Sequence, residues 1–511
     1  MNTTASWTAA ALRGSPAARA LNYRIGRIAV RHYRIWATLV LLLAWLNCFW
    51  RLSSSVVSDL DEARYGVAAS EMMRSHSMLI ATYAGRPEYW NLKPPLGYWM
   101  QELAFRLLGP TVFAMRLPSA LCALALIALT MEVCRRWYGR RQALLTGLLL
   151  TTCFGFMSYH GARSGDLDSA LSLILLVAAV LTPVLERSPN ARLLWAAMLS
   201  LGFLLKSFAI LPFVLVTALY LLWAGDLRRM RWHQWVPSMA LFLGVVLSWI
   251  VARAHHDGSM YFVNRMFRED LFWRSTRVLD DERARPLGYL AVLLDRFAPW
   301  PLFIVAGALF VRRTAGATDL RSRLLLLWAL VPLTAFTLAR TKHHWYLDPT
   351  YPAWSMLAAF AILQLIGSTT ARLRLATVAL VVLCLVLCEV RVLWRIGWTD
   401  RRPASQTFLL SLQDHAIIPA DELLYATFPL SHSERFLLEV VDGFGVVDSE
   451  APSAPGELPV AAHVALVGRQ QLAGLTALTP AGWNVVTRSG DYAILRRTYL
   501  QVAPPSLAAA R

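Results

Sequence analysis

Long apolar runs separated by short polar knots dominate this chain. They fall near 35–49, 112–133, 143–159, 169–185, 193–207, 209–224, 235–252, 298–311, 323–339, 352–367 and 375–394. A helix needs about 20 apolar residues to cross a bilayer, so the runs predict a polytopic α-helical membrane protein with about 11 spans. Between about 52 and 110 the apolar positions change to a helical period. Val67, Met72 and Met73 continue a pattern that begins at Ser58-Asp59-Leu60-Asp61-Glu62-Ala63-Arg64-Tyr65, and Pro94-Pro95 opens a second amphipathic stretch. This loop is read as two amphipathic helices beside the membrane. Past Arg395 the runs shorten to strand length, as at 422–426, 463–467 and 492–495. The expected organisation is a basic leader at 1–34, a membrane domain at 35–395 and a small soluble α/β domain at 396–511.

Composition excludes a soluble protein: 57% of the 511 residues are hydrophobic, 16% are charged and the mean hydropathy is +0.45. The net charge of +18 does not point to nucleic acid, because arginines gather in alternate loops, at 135–141, 187–192, 228–231, 312–323 and 372–374. By the positive-inside rule those loops face the cytoplasm, with the leader arginines 13, 19, 24, 27, 31 and 34. The remaining loops and the C-terminal region are then expected outside. The six cysteines lie in or beside apolar runs without metal-ligand spacing and read as core residues.

Of the 50 basic residues only Lys93, Lys206 and Lys342 are lysines, and all three fall in outer loops. Either a coding preference spared three, or three ammonium groups serve one anion as point charges. Lys93 precedes two prolines at a helix start, where backbone N–H groups favour anions. Ser58 with Asp61, and Asp59 with Glu62, can cap the first amphipathic helix. Asp61, Arg64 and Tyr65 stand on one face of it, so a carboxylate and a guanidinium can meet one ligand. Lys206, between two short spans, would be costly facing lipid and is expected at the cavity or the outer surface. Arg265, Arg268 and Arg274 with Trp273 form a basic aromatic segment suited to lipid headgroups or to a donor. Asp280-Asp281-Glu282 reads as a solvated turn.

Asp61-Glu62-Ala63-Arg64-Tyr65, Lys93-Pro94-Pro95-Leu96 and Arg116-Leu117-Pro118-Ser119-Ala120-Leu121 resemble the ArnT and protein O-mannosyltransferase group of GT-C glycosyltransferases. So do, further on and in order, Ala162 to Asp168, Leu204-Leu205-Lys206-Ser207 and Arg340 to Tyr346 with Pro349 and Pro352. The resemblance implies a GT-C fold and inverting transfer of a sugar from a polyprenyl-monophosphate donor, outside the bacterial cytoplasmic membrane. The implied acceptor is a cell-envelope glycolipid or polysaccharide, lipid A first, or Ser/Thr of secreted proteins. A lipid-linked sugar transporter or an inactive scaffold is the reading from another class. The resemblance makes Asp61 the catalytic base and gives Asp168 a part in holding the acceptor or supporting that base. It makes Arg64, Lys93, Lys342 and Tyr346 phosphate ligands, with Lys206 and Arg274 near the anion. Glu62, Tyr65, Arg163, Asp166, His343 and His344 are acceptor-side or supporting residues, Asp166 preferred as a helix cap. Relatives carry an acid before the Lys-Pro and a histidine in the fifth outer region, positions of a metal site; here Leu92 and Asp270 stand there, so no obligatory metal is expected.

Overall fold

The computed structural model describes residues 31–158, 160–278, 288–314, 319–414, 417–418, 422–451, 454–459, 461–471 and 482–497. The leader up to residue 30 and Asp280-Asp281-Glu282 lie outside the described residues. The eleven apolar runs correspond to eleven helices, and the two amphipathic stretches to two more. In chain order these are α1 Tyr33–Phe49, the amphipathic α2 Asp61–Ser75 and α3 Leu96–Leu108, α4 Val112–Tyr138, α5 Arg140–Thr151, α6 Asp168–Leu181 and α7 Pro189–Lys206. There follow α8 Leu211–Ala224, α9 Val236–Asp257, α11 Pro301–Thr314, α12 Leu320–Leu338, α13 Tyr351–Ser368 and α14 Ala371–Trp394, with one further short helix, α10 Gly288–Arg296, before α11. Among the described residues 6 helical stretches are long and apolar enough to cross a membrane, or up to 7 if the pair α10 and α11, bent by 100°, counts as one span.

One of these stretches, the 36 residues Pro189–Ala224, reverses at Ser207, whose φ is 43°. Lys206 reaches Asp168 at the start of α6, whereas Thr217 meets Thr182 beyond the end of α6 at 3.2 Å. The short break at Lys206 is therefore a turn between α7 and α8.

The outward faces are apolar. On α14, Leu375 is 67% exposed, Leu380 59% and Leu387 57%, a surface that water would penalise and hydrocarbon accepts. With the spans, that makes the chain a multi-pass membrane protein. Inside, Trp300, Trp328 and Trp354 are wholly buried, and two satisfy their indole N–H on carbonyls, Trp328 on Pro349 and Trp354 on Ala329.

One end of the bundle carries α2, α3 and a hairpin of β1 Thr82–Tyr83 and β2 Arg86–Pro87. The C-terminal region forms a sheet in the order β4-β3-β5-β7-β6 from β3 Leu423–Ala426, β4 Gly445–Asp448, β5 Val464–Gly468, β6 Trp483–Arg488 and β7 Tyr492–Arg497. β3 runs parallel to β4 and β5, and β7 antiparallel to β5 and β6. The three strand-like runs are β3, β5 and β7. This region touches the segment between α1 and α4: Ser433 donates its N–H to Asp59 at 2.8 Å, and a Cβ on Gly66 would lie 2.5 Å from the Phe436 ring.

Candidate functional site

Glu62 builds the frame. Its carboxylate, 1% exposed, accepts from Arg116 Nε at 2.6 Å and Nη2 at 2.8 Å, from Gly165 N at 2.8 Å and from Ser58 N at 2.9 Å. Arg116 in turn donates to the carbonyls of Leu52 and Val56. One ion pair thus fastens the start of α2, the end of α1 and the loop before α6. Gln101 of α3 donates to Gly165 O at 2.7 Å and Ser119 of α4 donates to Asp166 O, so the loop sits between both helices. Leu167 packs on Gly97, where a Cβ would fall 2.4 Å from Leu167 Cδ2. The N-cap of α2 is Leu60, without a side-chain cap; Asp59 accepts from Ser433 instead, and the Ser58 N–H goes to Glu62.

This frame presents four acids. Asp61 begins α2, half-buried; Asp166 and Asp168, each 2% exposed, end the loop; and Asp348, 1% exposed, comes from the stretch His344–Thr350 before α13. His160 stands 3.3 Å from Asp166 and 3.8 Å from Asp168. Burial, followed by the charges of Asp61 and Glu62, pushes the Asp166 carboxyl well above the ordinary carboxylate range. Burial, followed by nearby Lys206, holds the His160 ring well below an ordinary imidazole, hence neutral near pH 7.

Cations lie beside these acids. Lys206 Nζ donates to Asp168 at 2.5 Å. Lys93 Nζ donates to Asp270 Oδ2 at 2.8 Å, and Ser207 Oγ reaches the same oxygen at 3.2 Å. Arg274 bridges Asp270 Oδ1 at 3.0 Å and Tyr346 Oη at 3.1 Å. Burial would raise the Asp270 carboxyl, but the charges of Lys93 and Arg274 hold it below its usual range. Burial dominates at Lys93 and lowers its ammonium below an ordinary lysine. The structure therefore brings Asp61, Asp166, Asp168, Lys93, Lys206, Arg274 and Tyr346 into one charged cluster.

Other sequence-predicted residues have contacts of their own. Arg64 pairs with Glu88 through two hydrogen bonds of 2.7 and 3.0 Å, lies 4.2 Å over Tyr83 and 4.8 Å over Trp90, and meets His432 at 3.3 Å. Its guanidinium turns away from the shared face with Asp61 because Glu88 offers a matching bidentate acceptor. Tyr65 is buried, 3.4 Å from Asn91 Oδ1 and against Tyr98. Arg163 caps the end of α1, donating to the carbonyls of Asn47, Cys48 and Trp50. Lys342 donates to Ala339 O and has Arg340 as its charged neighbour, so two of the three lysines converge. His343 stacks on Trp345 at 4.3 Å and His344 meets the same ring edge-on at 4.8 Å. Asp166 offers its backbone carbonyl to Ser119 and no cap to α6, whose N-terminus has no side-chain cap.

Sequence reasoning missed His160 and Asp348. The signal for His160 was proximity, two residues before the motif Ala162 to Asp168; Asp348 lay in plain view between Tyr346 and Pro349. The two positions that the resemblance links to a metal do not fit one: Leu92 has no ligand atom, and both oxygens of Asp270 are taken by cations.

A family model described as dolichyl-phosphate-mannose-protein mannosyltransferase matches residues 92–252. An undecaprenyl phosphate-α-4-amino-4-deoxy-L-arabinose arabinosyl transferase of Pseudomonas fluorescens is 26% identical over 363 residues, 68% of this chain and 60% of that protein. A second from another strain is 28% identical over 66% of this chain and 59% of its own length. The chain thus spans about 60% of the length of these curated relatives. Among solved structures, ArnT from Cupriavidus metallidurans bound to undecaprenyl phosphate superposes with a TM-score of 0.70 at 19% identity, covering 93% of this chain and 99% of that one. The Archaeoglobus fulgidus oligosaccharyltransferase gives a TM-score of 0.51 at 10% identity, over 86% of this chain and 70% of its own. The chain thus shares the membrane fold of ArnT, and its sequence is similar over about two thirds of its length to the arabinosyl transferases of the ArnT and protein O-mannosyltransferase group.

Proposed function

We propose that this chain is an inverting glycosyltransferase that uses a polyprenyl-monophosphate sugar on the outer face of the bacterial cytoplasmic membrane. The observation that carries the reading is the half-buried acid Asp61 set beside a cluster of Lys93, Lys206 and Arg274. Asp61 takes the proton of the acceptor hydroxyl as its oxygen bonds to the anomeric carbon. The bond from that carbon to the phosphate oxygen breaks on the opposite face, and the electron pair leaves with the polyprenyl phosphate. Lys93, Arg274, Lys206 and the Tyr346 hydroxyl hold the departing anion, electrostatic help that a closed site makes strong. Asp168 keeps Lys206 in place. Glu62, Arg64, Arg163 and Tyr65 position loops.

The names of the curated relatives favour a cell-envelope glycolipid acceptor of the lipid A kind. The description of the matching family supports a second reading, transfer to Ser/Thr of secreted proteins. The leader would then be cytoplasmic, with residues 396–511 forming an outer domain.

Mass spectrometry of envelope lipids, glycans and secreted proteins tests this in cells carrying the chain or its Asp61→Asn form at equal levels. One sugar-sized mass should vanish from one class of molecule, since a positioned base contributes about 10²–10⁴-fold. Identical profiles, when deletion of the chain changes them, would favour a transporter or scaffold.

A further inference from the structure

We propose that a crevice in the C-terminal sheet region binds a saccharide without phosphate and that, resting on the transfer reading, this saccharide is a part of the acceptor that does not react. In the sheet β4-β3-β5-β7-β6 the chain leaves β3 for β4 on one side, whereas β6 and β7, which follow β5, lie on the other, so β3 and β5 flank the point where the strand order reverses. The two strands are parallel, and open α/β sheets hold ligands outside the carboxyl ends of parallel strands at such a point. A cavity of about 470 Å³ opens there, within the range of about 300–1,000 Å³ common to small-molecule sites. Phe428 lines it from beyond β3, Arg469 from beyond β5, and Asp491 and Tyr492 from the start of β7. Gly468, the last residue of β5, makes room for the Phe428 ring: a Cβ there would fall 3.1 Å from Phe428 Cδ1. Gln471 donates to Thr427 O at 3.2 Å and ties the two strand ends together.

The lining selects the ligand. The half-buried rings of Phe428 and Tyr492 lie 6.1 Å apart at 18°, and Phe408 of the helix Ala404–Asp414 continues the row at 6.2 Å and 12°. The negative π faces of such rings attract the polarised C–H face of a sugar ring. Glu434 and Asp491 offer carboxylate lone pairs to hydroxyls, and Arg469, 3.8 Å from Asp491, offers donors. Two carboxylates against one guanidinium leave the crevice negative, which disfavours a phosphate. The start of the helix after β3, where a phosphate would ordinarily sit, is already closed: Ser431 Oγ accepts the N–H of Glu434 at 3.3 Å, and Glu434 Oε2 accepts that of Ser431 at 2.7 Å. A hydroxyl-rich ring, uncharged or bearing an amine, is the ligand that meets an apolar wall and these polar groups together. The crevice and the proposed base also share one frame, because Ser433, next to Glu434, donates to Asp59, two residues before Asp61.

The test applies the full-length chain, fluorescently labelled and held in a detergent without a sugar headgroup, to an array of neutral, amine-bearing and phosphorylated saccharides. Calorimetry with the best-bound glycan then reads affinity. Binding to phosphate-free saccharides is expected. Asp491→Ala should weaken it by about 10–150-fold, as the loss of a hydrogen bond to a charged group would. Phe428→Ala should weaken it as well, while Glu132→Gln, near the far end of α4, should not. The Asp491 side chain is 42% exposed, so Asp491→Ala keeps the thermal midpoint of the unaltered chain and reads the site even where Phe428→Ala fails to fold. No bound glycan, binding to phosphorylated saccharides alone, or unchanged affinity in Asp491→Ala would overturn the site. Binding is read without turnover, and Asp61→Asn should retain it; its loss there would place the glycan at the charged cluster and overturn the crevice. A chain that binds glycan through Asp491 but transfers nothing would overturn the transferase reading alone, and one that transfers sugar but binds no glycan would overturn this site alone.

Discussion

Glu62 and Asp61 are adjacent acids at the start of one helix, and the structure gives them opposite kinds of work. Glu62→Gln keeps the shape but removes a charge that accepts four N–H bonds, two of them from Arg116, which is itself 2% exposed. The substituted amide nitrogen would also face a donor. Removing one member of a buried pair costs about 3–5 kcal/mol, because the other charge stays buried without compensation. The four hydrogen bonds overlap with that figure and do not add to it. Replacing both partners with apolar groups of similar size, Glu62→Leu with Arg116→Met, should restore part of the loss. Thermal unfolding of detergent-solubilised protein by fluorescence-detected size exclusion would compare the chain, both single variants, the double and Asp61→Asn at one heating rate, since such unfolding is a rate as much as an equilibrium. The expected order is Asp61→Asn close to the unaltered chain, Glu62→Gln far below, and the double variant between. A Glu62→Gln midpoint equal to that of Asp61→Asn would refute the assignment of Glu62 to the frame.

Lys93→Met should weaken binding of polyprenyl phosphate by about 10–150-fold, the worth of a hydrogen bond to a charged group. Lys342→Met, whose ammonium rests on Ala339 O, should change it little, and equal losses in a calorimetric or quenching titration would show that the lysines act together. Gly97→Val should reduce stability and transfer together, because its Cβ would displace Leu167 and with it the loop of Asp166 and Asp168; an unaffected variant would mean that Glu62, Gln101 and Ser119 hold the loop without Leu167. Burial, followed by the Arg64 charge, holds His432 below an ordinary imidazole. The unfolded chain therefore takes up its proton first as pH falls below about 6.5, and stability drops by at most about 1.4 kcal/mol per unit until the folded ring titrates. His432→Gln should flatten that arm of a thermal-midpoint profile between pH 7 and 5, and an unchanged slope would exclude His432 as its source.

The sequence made the bundle legible because burial in hydrocarbon writes itself as uninterrupted apolar runs, and each of the eleven runs is a helix. Position along the chain also served well where a residue acts on the loop that carries it, as at Lys93 and Lys206. It failed for Arg64, since helical spacing says which residues share a face but not which acceptor wins, and Glu88 lies 24 residues on. The same limit hid His160 and Asp348, which gain meaning only from tertiary neighbours. Asp270 shows the point most sharply. In the sequence it is a missing histidine, a loss of metal-binding capacity. In the fold it joins Lys93, Ser207 and Arg274, three groups separated by up to 181 residues. The half-buried like charges of Lys93 and Arg274 would repel without it. An incoming phosphate therefore has to outcompete a carboxylate already seated between its two cations, which ties donor binding to a rearrangement around Asp270 rather than to an open, waiting site.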